Sequence, residues 1–143
     1  MQTGLADGLA GATSYAGGSG LKPATIYNDT GGQAMRYALK AQEYQKQRRQ
    51  VRFAGRCDSA CTLYLSLPDD LVCISSGASF GFHRPYGATL GENRVMEEYM
   101  MGLYPEWVRD WIESQGGLAV EMKSMNYAYA SQFMRPCESA RSI

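Results

Sequence analysis

From Ala24 to Ile74, strand-like runs alternate with helical ones, and turn chemistry marks each change. Ala24-Thr25-Ile26-Tyr27 is a short β-rich run that stops at Asn28-Asp29-Thr30-Gly31-Gly32, residues that favour tight turns. Gln33 to Gln50 holds no Gly or Pro and reads as a helix, with Met35, Ala38, Leu39 and Ala41 or Gln42 as its apolar stripe. Val51-Arg52-Phe53-Ala54 alternates as a strand does and is closed by Gly55. Strands that alternate with helices predict an α/β fold with right-handed crossovers.

The next segments extend this pattern. Thr62 to Leu67 is apolar and reads as a short buried helix, N-capped by Asp58 or Ser59 and ended by Pro68. Leu71 to Ile74 and Ser79 to His83 read as strands. Asn93 to Ser114 has helical periodicity, which Pro105 should split in two and Gly116-Gly117 should stop. A last helix is expected from Ala119 to about Tyr129. Trp107, Trp111, Tyr99 and Tyr104, with Met96, Met100 and Met101, form a stripe that suits a core better than an interface.

A length of 143 residues suits one domain, in which roughly two-thirds of the unfolded chain's surface can be buried. Met1 to Gly20 carries six glycines and no Lys or Arg, so it reads as a flexible lead-in to a domain over residues 21–143. It lacks the cationic start and apolar centre of a secretory signal. Fourteen basic residues balance fourteen acidic ones, which gives no reason to expect a nucleic-acid partner. No apolar run reaches the length of a membrane-spanning helix.

Cys57, Cys61, Cys73 and Cys137 give an even count, which suits two disulfides in an oxidising compartment. Four buried thiols are the alternative. A zinc site would need all four cysteines, or three with the single histidine His83, and the reading calls for neither metal nor cofactor. A turn at Pro68-Asp69-Asp70 would return the strand of Cys73 beneath the helix of Cys61. The expected bridges are therefore Cys61–Cys73, with Cys57–Cys137 as the remaining pair.

Three features then fall in order, each at a strand's carboxyl end, where α/β proteins place their sites. Gly31-Gly32 lets the backbone approach a ligand and turn N–H groups into a cleft. Taken alone it is a tight turn, and no Gly-Lys-Ser or Gly-Lys-Thr follows to make a phosphate loop. Ser59 stands at a strand-to-helix junction beside the small Ala60. Such a serine is either an N-cap or a nucleophile that needs a base to take its proton. His83, 24 residues on, is a strand-end histidine that could be that base.

Together, Ile26 to Gly32, Cys57-Asp58-Ser59-Ala60-Cys61 and Phe82-His83-Arg84-Pro85 resemble the Clp-protease/crotonase superfamily, in its Clp-protease-like serine peptidase branch. Cys-x-Ser-Ala-Cys-Thr is most similar to periplasmic bacterial members. The resemblance implies layered β-β-α repeats, Ser59 as nucleophile and His83 as general base. It implies an oxyanion hole from the N–H groups of Gly32 and Ala60, a peptide or protein substrate, and homo-oligomers. With the cysteines it implies a periplasmic or extracytoplasmic address, while the start of the chain, which shows no secretory signal, is also consistent with the cytoplasm.

The departures are specific. Thr30 stands where the family has Pro. Ser131 falls where the acidic third member of the triad would be, with Asn126, Glu121, Glu138 and Asp58 as substitutes. The family's earliest strands have no counterpart in residues 1–20, which predicts a member shortened at the N-terminus or completed by a partner chain. Two other readings follow: a catalytically weak or inactive scaffold acting in assembly or binding, and an acyl-CoA enzyme of the crotonase type.

Overall fold

The computed structural model describes residues 20–137, so the expected lead-in, all but Gly20, and Glu138 lie outside the described residues. It is a mixed α/β fold with two three-stranded sheets. The strands are β1 (Ala24–Ile26), β2 (Val51–Phe53), β3 (Arg56–Asp58), β4 (Val72–Ile74), β5 (Ser79–Phe82) and β6 (Lys123–Met125). The α-helices are α1 (Ala34–Gln47), α2 (Leu90–Leu103), α3 (Glu106–Ser114) and α4 (Tyr127–Ala130), and a 3₁₀ helix spans Ser59–Ser66.

One sheet is wholly parallel, in the order β1-β2-β4; the other runs β3-β5-β6, with β3 and β5 parallel and β6 antiparallel to β5. The chain deals its strands to the two sheets in turn. It places β2 in the first and β3 in the second, crosses through the 3₁₀ helix, then places β4 in the first and β5 in the second. The backbone steps from the first sheet to the second near Gly55 and Gly77. After β1, Asp29 alone pairs with β3, through a parallel bridge to Cys57.

Val51 and Phe53 are fully buried because β2 is the central strand of its sheet. The buried face of α1 is Ala38, Ala41 and Tyr44, whereas Met35 and Leu39 of the expected stripe are exposed. Two alanines let α1 lie close on the 3₁₀ helix, and Tyr44 then stacks on Tyr64 with ring centroids 5.7 Å apart. Pro105 separates α2 from α3 as expected, and Met100, Tyr104 and Trp111 face the core. Among the described residues, no helix is long and apolar enough to cross a membrane.

Two expectations are corrected, and one strand is added. Residues 119–129 do not form one helix: the segment extends as β6 because its backbone pairs with β5, and only Tyr127–Ala130 coils. Strand β3 was not expected from sequence, since a three-residue Arg-Cys-Asp run is too short for its alternation to carry a strand signal. The disulfides are Cys57–Cys61 and Cys73–Cys137. The sharp turn after β3 folds Cys61 back onto Cys57. A bridge between Ile74 and Pro136 lays the C-terminal segment along β4, bringing Cys137 to Cys73.

Candidate functional site

Parallel pairing decides where the site lies. Asp29 pairs with Cys57 and Asp58 with Gly81, all in the same direction. The segments leaving Asp29, β3 and β5 therefore emerge at one edge of the sheet, and they carry Gly31-Gly32, Ser59-Ala60 and His83. All five residues line one cleft of about 790 Å³, inside the roughly 300–1,000 Å³ of ligand sites. Helix α2 forms the opposite wall through Glu92, Asn93, Met96 and Met100, and Met35 and Met122 complete an apolar flank.

Ser59 has φ +60°, the left-handed region that a non-glycine residue seldom occupies. Backbone strain of this kind gathers at functional positions. The turn it makes brings the chain from β3 directly into the 3₁₀ helix. Asp58 occupies the N-cap position but does not cap with its side chain. Its buried carboxylate instead takes two hydrogen bonds from Arg56, Nη2 at 2.6 Å and Nε at 3.0 Å. Ala60 is the second residue of the helix, so its N–H lies ahead of the first intrahelical bond and is free to face the cleft.

Gly31 is required by space as well as by its φ of +93°. A Cβ there would stand 2.7 Å from the carbonyl oxygen of Asp58 and 3.0 Å from the nitrogen of Ala60. The turn is fixed from the other side by Asp29, whose Oδ1 accepts from Gly31 N–H at 2.8 Å and from the Tyr37 hydroxyl at 2.9 Å. Burial, with the Asp29 carboxylate, pushes the Tyr37 phenol up to about 12.

His83 follows β5 and is partly exposed. Its Nδ1 lies 2.7 Å from the carbonyl oxygen of Arg84. A carbonyl only accepts, so Nδ1 is the donor, and in the neutral ring Nε2 keeps its lone pair. Arg84 is itself tied down, its N–H donating to Ala119 O at 2.8 Å. The Tyr86 ring stacks over the imidazole with centroids 5.6 Å apart.

Ser59 and His83 share the cleft without a hydrogen bond between them. Among the described residues, none of the acid candidates considered from sequence is bonded to His83. Asp58 is held by Arg56, Glu121 lies outside the cleft lining, and Asn126 caps α4 by accepting from Tyr129 N–H. Ser131 is also outside the lining: it closes α4 and donates to Ala128 O at 3.1 Å. Sequence reasoning looked for a side chain beside His83 and could not see a main-chain acceptor one residue away. It also missed the methionine flank: Met35 and the pair Met96 and Met100 read as stripes of two separate helices, and nothing local shows that they meet Met122 across one cleft.

No protein-family model matches the chain, and no curated protein matches it. Among solved structures, it is similar to a ClpP1 mutant from Listeria monocytogenes. That likeness is 17% identity with a TM-score of 0.46, over 77% of this chain and 68% of the other.

Proposed function

We propose that the chain is a Clp-protease-like serine hydrolase acting on peptide bonds. Ser59 Oγ attacks the carbonyl carbon while His83 Nε2 takes its proton, and the same nitrogen returns that proton to the leaving amine. The N–H groups of Gly32 and Ala60 receive the oxyanion. Water, activated by His83, then releases the acyl group.

The observation that carries the reading is the meeting of Gly31-Gly32, the left-handed Ser59 and an Nδ1-protonated His83 in one cleft. The Arg84 carbonyl takes over one part of the missing acid's work: it holds the imidazole in the tautomer that leaves Nε2 basic. It carries no charge, so it stabilises the imidazolium less than a carboxylate would. Loss of the acid costs about four orders of magnitude where the wrong tautomer results. With the right tautomer kept, the expected handicap is smaller, and turnover is slow but measurable. Two disulfides fit an oxidising compartment, in line with a periplasmic address.

A fluorophosphonate probe tests the assignment. It should label the protein at Ser59, and Ser59→Ala and His83→Ala should each abolish labelling. Hydrolysis unchanged by Ser59→Ala, or a protein that never labels, would favour the second reading, a non-catalytic scaffold. That reading draws on the lack of any carboxylate bonded to His83 among the described residues.

A further inference from the structure

The left-handed turn at Ser59 has to be held, and the restraint lies inside the core. Ser59's carbonyl oxygen accepts a hydrogen bond from Thr62 Oγ1 at 2.7 Å. That donation uses Thr62's single hydroxyl proton. Thr62 Oγ1 also lies 2.6 Å from the Tyr104 hydroxyl oxygen, so Tyr104 must be the donor of this second bond. The result is a directed chain, Tyr104 O–H to Thr62 O–H to Ser59 C=O. Thr62 is 0% and Tyr104 2% exposed. Burial pushes the Tyr104 phenol well above its ordinary range, so it keeps the proton that the chain requires.

Local helix chemistry does not account for the tyrosine. A threonine hydroxyl bonded to the carbonyl three residues back is common in helices and needs no second partner. Here a fully buried phenol from another element completes it. Tyr104 directly follows α2, the helix that walls the cleft opposite Ser59, so one residue joins the two sides of the cleft through the core.

We infer that Thr62 and Tyr104 are positioning residues for Ser59, setting the carbonyl direction and with it the turn that presents Oγ to the cleft. The inference rests on the reading of Ser59 as the nucleophile. It assigns both hydroxyls to the geometry of attack and neither to substrate binding.

Three variants test this: Thr62→Val, which removes both bonds, Tyr104→Phe, which leaves Thr62 bonded to Ser59, and Thr62→Ser, which keeps both. Each is checked for folding by circular dichroism, then assayed for fluorophosphonate labelling rate and for p-nitrophenyl acetate hydrolysis. Thr62→Val should lower kcat and the labelling rate by about ten- to a hundredfold with KM nearly unchanged, as misplacement of a reacting group does. Tyr104→Phe should fall between it and the parent, and Thr62→Ser should restore the parent values to within about twofold. If Thr62→Val does not fold, Tyr104→Phe against Thr62→Ser decides the matter. A folded Tyr104→Phe or Thr62→Val that labels at the parent rate, while Ser59→Ala does not label, overturns this inference and leaves the hydrolase reading standing. If Ser59→Ala labels as the parent does, both fall together.

Discussion

Gly31 presents its bare Cα to Ser59 so closely that a Cβ on Gly31 would stand 2.8 Å from Ser59 Cβ. The glycine turn and the serine turn are thus one packed unit. Gly31→Ala should cost about 2–5 kcal/mol, from the left-handed backbone and from overpacking against main-chain atoms that cannot yield. It should also abolish fluorophosphonate labelling of the fraction that still folds. Gly87 has a similar φ of +98° with nothing within 4 Å. Gly87→Ala should therefore cost only the conformational part, about 1–2 kcal/mol, in denaturant titrations. Equal losses for the two variants would mean that crowding at Ser59 contributes nothing.

The chain has a single histidine, so nitrogen NMR reports on His83 without assignment. The neutral ring should carry its proton on Nδ1. A proton on Nε2 would remove the lone pair that the proposed base needs. Arg84→Ala should leave hydrolysis within about twofold of the parent, because the main-chain oxygen remains and removing an exposed side chain is usually a small perturbation.

Ser131→Asp should leave the rate unchanged, since Ser131 belongs to the end of α4 and not to the cleft. A clear gain in kcat would restore this position as the seat of the triad's acid.

The two disulfides should differ in what their removal does. Cys73–Cys137 closes 64 residues and Cys57–Cys61 only 4. Loop-closure entropy assigns about 4 kcal/mol to the first and about 2 kcal/mol to the second. Replacing Cys73 and Cys137 by Ala should cost the more stability in urea titrations. Replacing Cys57 and Cys61 should cost less stability but more labelling rate, because that bridge spans Ser59. The reverse ranking of labelling losses would detach the short bridge from the site.

Alkaline stability should decline in a defined window. Tyr37 titrates near 12 in the folded chain, and burial raises Tyr64 and Tyr104 as well. An unfolded tyrosine titrates near 10. Between those values the unfolded chain releases protons that the folded chain keeps, so stability is full below pH ~10 and falls as pH rises toward ~12. Denaturant midpoints across this range should shift downward, with tyrosinate absorbance appearing as the chain unfolds. Tyrosinate formed at pH ~10 in the still-folded protein would show these phenols to be ordinary.

Much of the fold up to His83 was legible because its signals are local. Gly-Gly after an apolar run, a proline after the 3₁₀ helix and alternation in Val51 to Phe53 each set structure within a few residues. What was not legible depends on partners far along the chain. Lys123 to Met125 is extended because β5 lies beside it, and Cys137 meets Cys73 because Pro136 bridges Ile74. The site divides the same way. Gly31, Gly32, Ser59, Ala60 and His83 are marked by residue type at strand ends, and parallel pairing gathers them into one cleft. Tyr104 was read as core, which its burial bears out, but its hydroxyl's route to Ser59 through Thr62 has no sequence signature.

The oxygen that orients His83 belongs to the peptide group between Arg84 and Pro85, and every amino acid possesses one. A point mutation at position 84 can change the side chain but cannot delete this acceptor. What holds its direction is the following ring, since a residue ahead of proline is kept in extended backbone. Drift in sequence would therefore erase the arginine without erasing the hydrogen bond. A search for relatives that demands an acid at this point would discard chains whose histidine is oriented by the main chain.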